Sequence, residues 1–318
     1  MPRATIQILE ALPSDSSVAL IYGDLYTIQY GGRVMNGRPS LVVTGVSTGI
    51  GHAIAQVFTR RGWRVFGSVR KPEDGDRLNG ELGVTPLVFD VTDEQGIHAA
   101  AEEVRGWLGN AKLGAVVNNA GVAIGGPLVL QPASDFIKQL ETNLLGPFLV
   151  TKAFAPLLGT DRCRTGPPGR IVNISSVGGK VALPFLGAYA ASKHGVEGMS
   201  ESLRRELMLY GIDVIVVAPG SVATPIWDKA QAADLGPYRT SDYADAMQAC
   251  RNYMIQEGRK GLAPSEIGEV VFKALTSRRP KIRYAVVPGA FRNWILPRLL
   301  PKRIVDRAIA RITGLLPD

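Results

Sequence analysis

The chain is poor in the residues that build metal sites and covalent cross-links. It has two cysteines, Cys163 and Cys250, far apart and in no C-x-x-C spacing, and three scattered histidines, His52, His98 and His194. Two distant cysteines do not make a disulfide framework, which points to a reducing compartment, the cytoplasm. So few ligating side chains argue against a histidine-held metal, and none is expected. No apolar run approaches the ~20 residues that span a bilayer. Nor does a cationic start lead into a long apolar run: Asp24 interrupts the best candidate, so no secretory leader is expected. Recognition motifs for nucleic acid are missing too; only the net charge of +8 would suggest such a partner, and none is expected.

What is present is a chain of 318 residues, 46% hydrophobic and 20% charged, long enough for one large domain or two ordinary ones. Residues 40–288 alternate short β-rich apolar runs with helical stretches. The runs are Leu41–Thr44, Arg64–Val69, Val84–Phe89, Leu113–Val117, Ile171–Ile174, Asp213–Val217 and Ile282–Val287. This alternation predicts an α/β fold, a doubly wound, mostly parallel sheet of seven strands with helices on both faces. Residues 1–39 read as an extension outside that domain, loosely packed or preceding a functional start near Met35. Val18–Tyr22 and Tyr26–Tyr30 are candidates for a hairpin around Gly23-Asp24.

The first strand runs into Gly45-Val46-Ser47-Thr48-Gly49-Ile50-Gly51 and then a helical stretch from His52 to Arg61. Strand, glycine loop and helix is the context in which glycines let the backbone approach a pyrophosphate at a helix N-terminus. The second strand ends in Ser68-Val69-Arg70-Lys71. An acid there would hold ribose hydroxyls; Arg70 and Lys71 attract a 2′-phosphate instead, which favours NADP(H) over NAD(H). Asp90-Val91 follows the third strand and Asn118-Asn119-Ala120-Gly121 the fourth, both suited to hydrogen bonding near a cofactor. A helix from Ser134 to about Leu158 carries Asn143 among apolar neighbours, a costly placement unless the amide is paired.

Tyr189-Ala190-Ala191-Ser192-Lys193 places a phenol and an ammonium one turn apart on a helix. At ~4 Å and an effective dielectric of ~20 the pair interacts by roughly 4 kcal/mol before desolvation, enough to draw the tyrosine from ~10 toward neutrality. By itself Y-x-x-x-K also fits a solvated helix face.

Taken in order, these motifs resemble the short-chain dehydrogenase/reductase family with a single Rossmann-like domain. The match runs from Ser40 to Pro288: Thr44-Gly45-x3-Gly49-Ile50-Gly51, Asp90-Val91, Asn118-Asn119-Ala120-Gly121, Asn143, Ser176, Tyr189-x3-Lys193, and Pro219-Gly220 with Thr224. Val69–Asp74 and Tyr189–Arg205 further resemble members that act on steroids, retinoids and other apolar alcohols or carbonyls. The resemblance implies hydride transfer between a nicotinamide and such a substrate. Tyr189 would be general acid or base, and Lys193 would lower its pKa and hold the ribose. Ser176 would orient the substrate oxygen, and Asn143 would place a water in a relay with Lys193. Gly45, Ser47, Thr48, Gly49, Ile50 and Gly51 would line the phosphates and adenosine, Arg70 the 2′-phosphate, and Asp90 and Val91 the adenine. Asn118, Ala120 and Gly121 would line the ribose region, and Pro219, Gly220, Val222 and Thr224 the nicotinamide. A homodimer or homotetramer is common in the family.

Residues 225–261 are expected to form a substrate lid, their aromatic and methionine content suiting an apolar pocket with Trp227 on its wall. Residues 289–318 form a basic amphipathic tail. Over Ala290–Thr313, Arg292, Arg298, Lys302, Arg303, Arg307 and Arg311 stand against one acid, Asp306, while Ile304, Ala308, Ile309, Ile312 and Leu315 recur at helical spacing. Such a helix lies on anionic membrane, caps a pocket or packs on a partner subunit; all three stay open. Two rival functions share parts of the pattern. A dinucleotide-binding redox sensor would be expected to lose Tyr189 or Lys193, and a sugar-nucleotide epimerase or dehydratase differs in glycine spacing and C-terminal domain.

Overall fold

The computed structural model describes residues 19–22, 25–30, 33–36, 38–290 and 294–316. Near the start, β1 (Ala19–Tyr22), β2 (Leu25–Tyr30) and β3 (Arg33–Asn36) form a small antiparallel sheet. The expected hairpin is its first pair, Tyr22 opposite Leu25; the turn Gly23-Asp24 lies outside the described residues.

The main sheet has seven parallel strands: β4 (Ser40–Val43), β5 (Arg64–Val69), β6 (Thr85–Val88), β7 (Ala115–Asn118), β8 (Arg170–Ile174), β9 (Asp213–Pro219) and β10 (Arg283–Val286). Their spatial order is β10-β9-β8-β7-β4-β5-β6. The strands read as unbroken apolar runs because both faces are covered. Leu41, Val43, Val65, Ala115, Val117, Val172, Ile215 and Val217 enter one buried layer. Their alternates Val42, Phe66, Val116, Ile171 and Val214 enter the other.

On the first layer lie α1 (Gly49–Arg60) and α9 (Pro264–Thr276), packed closely together. The second is covered by α3 (Glu94–Leu108) and α5 (Gly146–Ala155), while α4 (Ala133–Leu140), which leads into α5, packs against α6 (Gly187–Glu206). Between β5 and β6 runs α2 (Pro72–Leu82); α6 precedes β9, and α7 (Ile226–Ala232) and α8 (Ala244–Arg259) follow it. The tail forms α10 (Leu296–Leu299) and α11 (Lys302–Thr313).

The uninterrupted helix expected over 134–158 is broken. A π turn, Glu141–Leu145, joins α4 to α5, and a second, Pro156–Thr160, ends α5. Chemistry explains the first break: Pro147 has no N–H to offer the carbonyl of Asn143 four residues back. In an open sheet of this kind ligands bind where the strand order turns back on itself. Here that place is the C-terminal end of β4 and β7, since β4 continues to β5 on one side and meets β7 on the other.

Candidate active site

The glycine loop leaves β4 at this switch point. Gly45 has φ 71° and Gly49 φ 63°, left-handed values that a side chain disfavours. A Cβ on Gly45 would stand 3.1 Å from the Ala120 backbone, and one on Gly51 would strike the Gly45 carbonyl and the Asn119 amide. The loop is therefore a cradle whose floor is backbone. Above it α1 begins with Thr48, whose side chain makes no capping bond, and its first turn holds no acid. Amide N–H groups and the helix dipole are thus left for an anion. These features fit the pyrophosphate of a dinucleotide.

The residues holding the cradle are not those the motif emphasised. Thr44 Oγ1 accepts from the backbone N–H of Asn119 (2.9 Å) and of Ala120 (3.0 Å). Asn119 Nδ2 donates to the carbonyls of Thr44 (2.9 Å) and Gly45 (3.1 Å). The Gly45 N–H donates to Ser68 Oγ at 2.9 Å, and Arg77 on α2 donates to the Ser47 carbonyl at 3.0 Å. Asn119 belongs to the amide pair that the sequence reading marked for hydrogen bonding; Ser68 and Arg77 are additions that it missed. For Arg77 no sequence signal exists, because its contact depends on how α2 lies.

Asn118, expected at the ribose, turns the other way. Its side chain is buried and donates to Thr151 Oγ1 (3.1 Å) and Asn173 Oδ1 (2.8 Å); Asn173 in turn donates to Ser200 Oγ (2.8 Å). Only the Asn118 backbone remains for a cofactor. The alternation of β7 carries the reason: Ala115 and Val117 face one layer, so Val116 and Asn118 face the layer that holds α5. Val91 is likewise a core residue, packed where a Cβ on Gly146 would sit. Asp90 accepts from the N–H and hydroxyl of Thr92 and stands 4.0 Å from Arg70, whose side chain is 75% exposed and free to meet a ligand.

Ser176, Tyr189 and Lys193 come together where β8 meets α6. Ser176 opens a short helical turn, its Oγ accepting from Gly178 N–H at 3.0 Å, and a Cβ on Gly178 would lie 3.4 Å from that Oγ and 3.3 Å from Tyr189 Cε1, so the two side chains flank the same turn. Lys193 is buried, with Nζ 5.8 Å from the centre of the Tyr189 ring, and donates to the Ile174 carbonyl at 2.9 Å. Asn143, fully buried in the π turn, bonds the Val122 backbone twice, Oδ1 to N–H and Nδ2 to C=O, both at 2.8 Å. Its Nδ2 also donates to Ser192 Oγ at 3.1 Å. The loop crosses between Asn143 and Lys193 at Gly121, where a Cβ would lie 3.2 Å from Asn143 Oδ1 and 3.8 Å from Lys193 Nζ.

The electrostatics differ from expectation. Burial pushes the Tyr189 phenol above 10.0, with the Ser176 hydroxyl drawing it partly back, and burial lowers the Lys193 ammonium to about 8. The sequence reading had Lys193 pulling the tyrosine down. Here desolvation prevails over attraction, and the ammonium is engaged by the Ile174 carbonyl.

Among the residues expected around the nicotinamide, Gly220 N–H donates to the Val286 carbonyl at 2.9 Å at the end of β9–β10, and a Cβ on Gly49 would lie 3.4 Å from Thr224 Cγ2. Pro219 is the last residue of β9. The buried Val222 is bridged to Leu262. Trp227, expected on the pocket wall, is engaged elsewhere. Its Nε1 donates to the Val222 carbonyl at 2.8 Å and its ring fills the space above Gly258, so it fastens α7 to α8. Two other aromatics reach across toward the site. The Tyr238 hydroxyl lies where a Cβ on Gly126 would come within 2.8 Å. Phe185, the sole non-glycine with positive φ (64°) among the described residues, meets the Tyr243 ring edge-on at 6.1 Å and accepts from Gly126 N–H at 2.9 Å. Strain of this kind collects at functional sites. A cavity of about 340 Å³ lined by Leu235, Tyr238, Met247 and Arg251 lies between α7 and α8, in the stretch expected to be a lid, and Tyr189 is not on its wall.

Comparison with known proteins gives consistent findings. Residues 40–235 match the family model described as short chain dehydrogenase. The chain is 37% identical over 268 residues to the NADPH-dependent 3-dehydrocapnine reductase of Ornithobacterium rhinotracheale, covering 84% of this chain and 94% of that one. It is 33% identical to human retinol dehydrogenase 5, covering 94% and 95%. A solved short chain dehydrogenase/reductase from Burkholderia phymatum in complex with NAD superimposes with a TM-score of 0.71 at 24% identity, covering 85% of this chain and 95% of its own, a likeness of fold.

Proposed function

The chain belongs to the short chain dehydrogenase family, and on that premise we propose that this nicotinamide-dependent oxidoreductase works as an NADPH-preferring reductase of apolar ketones or aldehydes. The observation that carries the reading is geometric: Lys193 Nζ lies 5.8 Å from the centre of the Tyr189 ring where β8 meets α6, with Ser176 on the adjoining turn, and the NADPH preference that Arg70 supports favours the reductive direction. A phenol protonated at neutral pH, beside a serine hydroxyl and a lysine, can donate a proton, which is what reduction of a carbonyl requires. When bound, the nicotinamide cofactor supplies the hydride; the chain supplies position and proton.

In this reading Ser176 and Tyr189 take the substrate oxygen between their two hydroxyls, and Tyr189 gives up its proton as the oxygen gains charge. Lys193, charged below about 8, sits behind the phenol and stabilises the phenolate left there. It also reaches the ribose region, with Gly121 beside it. The Asn143 side chain is committed to Val122, so its part is to hold that loop. Its backbone carbonyl, lacking a helical donor at Pro147, is the group left to place a water near Lys193. The glycine cradle and the N-terminus of α1 bind the pyrophosphate. Arg70, exposed at the end of β5, meets the 2′-phosphate, which is the basis for NADPH over NADH. The names of two relatives, a dehydrocapnine reductase using NADPH and a retinol dehydrogenase, support an apolar substrate.

NADPH and NADH oxidation over a panel from small polar ketones to retinal and steroid ketones tests this, run beside Tyr189→Phe. NADPH turnover on the apolar members is expected, with the variant's kcat lower by about 10²–10⁴ while NADPH still binds. Unchanged kcat in the variant overturns the assignment of the acid; turnover confined to small polar ketones overturns the substrate class.

A further inference from the structure

The tail is not a free appendage. Trp294 is buried, with the guanidinium of Arg283 4.5 Å from its ring centre and that of Arg298 at 4.6 Å. Arg283 also bonds the buried carboxylate of Glu197 at 3.0 and 3.1 Å. Downstream, α11 packs against α8, the second lid helix, and Thr313 is buried at its end. This docking decides which side of α11 faces outward. Val305, Ile309 and Thr313 turn toward the body.

Two stripes are left in solvent, side by side at helical spacing. Arg303, Arg307 and Arg311 form one; Ile304, Ala308 and Ile312 form the next, and all six are exposed. Asp306, the lone acid of α10 and α11, falls on the side of Thr313. Ahead of the helix Leu299 is 75% exposed, and Ile304 and Ile312 are 52% and 56% exposed. A cationic stripe alone would suit many polyanions. Aliphatic side chains held out in water beside it fit one solvent better, the boundary between lipid headgroups and acyl chains.

We propose that α10 and α11 form a docking surface for an anionic lipid bilayer, with Leu299, Ile304 and Ile312 entering the acyl boundary and Arg303, Arg307 and Arg311 pairing with headgroup charge. Because α11 packs on α8, the same contact brings the lid to the membrane, where an apolar substrate is concentrated. The docking itself does not rest on the substrate reading and is tested without turnover.

The test is flotation of the full chain with vesicles of phosphatidylcholine alone and of phosphatidylcholine mixed with phosphatidylglycerol. Binding to the mixed vesicles, weakened by salt, is expected. Arg303→Glu with Arg307→Glu and Arg311→Glu should weaken partition on the order of a hundredfold, and Leu299→Asp with Ile304→Asp and Ile312→Asp should weaken it as well. Thermal unfolding of each variant checks the fold, and the single change Leu299→Asp keeps the test decisive if a triple variant does not fold. No flotation of the native chain with anionic vesicles overturns the proposal. So does binding that the aspartate variants leave untouched. A native dimer that light scattering finds dissociated by the aspartate changes would assign this face to a second copy of the chain instead.

Discussion

The buried ammonium of Lys193 sets catalytic need against stability, and the conflict can be measured. Burial lowers it from 10.5 to about 8. At ~1.4 kcal/mol per unit, carrying the charge in the native cofactor-free chain costs roughly 3 kcal/mol at neutral pH. Lys193→Met keeps the length of the side chain and removes the charge. It also removes the bond to the Ile174 carbonyl, a loss of ~1 kcal/mol. The variant should therefore be more stable by roughly 2 kcal/mol, a rise in Tm of about 4–8 °C for a domain of this size, while carbonyl reduction is lost. The pH dependence has a definite sign. The lysine's pKa is lower in the native state than in the unfolded chain, so between about 8 and 10.5 the unfolded chain holds more protons at this site. Native stability from this group rises with pH through that window, and the variant's advantage, full below about 8, shrinks across it. Thermal melts of the cofactor-free native and variant chains at pH ~7 and pH ~10 give both quantities. A variant that melts below the native chain at neutral pH, or a gap that does not narrow toward pH ~10, refutes the reasoning.

Two further outcomes are expected. Arg70→Glu should raise KM for NADPH by about 10–100-fold, the loss of a charge-assisted phosphate contact, with KM for NADH little changed; equal effects on both cofactors in steady-state assays would remove Arg70 from 2′-phosphate recognition. Gly258→Ala places a methyl inside the Trp227 ring, so α7 and α8 must part. A loss of about 1–3 kcal/mol in unfolding experiments and a higher KM for bulky carbonyls are expected, and a native melting curve would show that the lid is not fastened there.

The sheet was legible because each strand is apolar on both faces, so seven runs stood out and only their ends moved: the third shortened to Thr85–Val88 and the sixth lengthened to Pro219. The nearness of Tyr189 and Lys193 was legible because a tyrosine and a lysine one turn apart share a helix face whatever surrounds them. What surrounds them was not. That Lys193 reaches the Ile174 carbonyl is decided by how α6 packs on the end of β8, and the sign of the tyrosine shift is decided by burial; neither is written in the motif. The break at Asn143 was readable in principle from Pro147, but the apolar spacing of Leu140, Leu144 and Phe148 continues across it and hides the π turn. Asn118 and Asn119 are identical as letters; only strand alternation shows that one amide enters the core and the other holds the glycine loop. Trp227 suited a pocket wall by composition, and only the absence of a side chain at Gly258 shows where its ring goes.

The placing of β4 has a consequence in time. It is an inner strand at the switch point and the first of the seven in sequence. During synthesis at ~5–20 residues per second, its partner β5 follows within a few seconds and closes one edge. The other edge waits for β7: Leu41 pairs with Ala115, about 70 residues later, which is several seconds more at that pace. Through that interval a mostly apolar strand carries unpaired backbone groups on an open edge, the geometry that recruits other chains. The ribosome-bound chain is thus most prone to aggregate between the emergence of β5 and that of β7, when the cofactor cradle is half built.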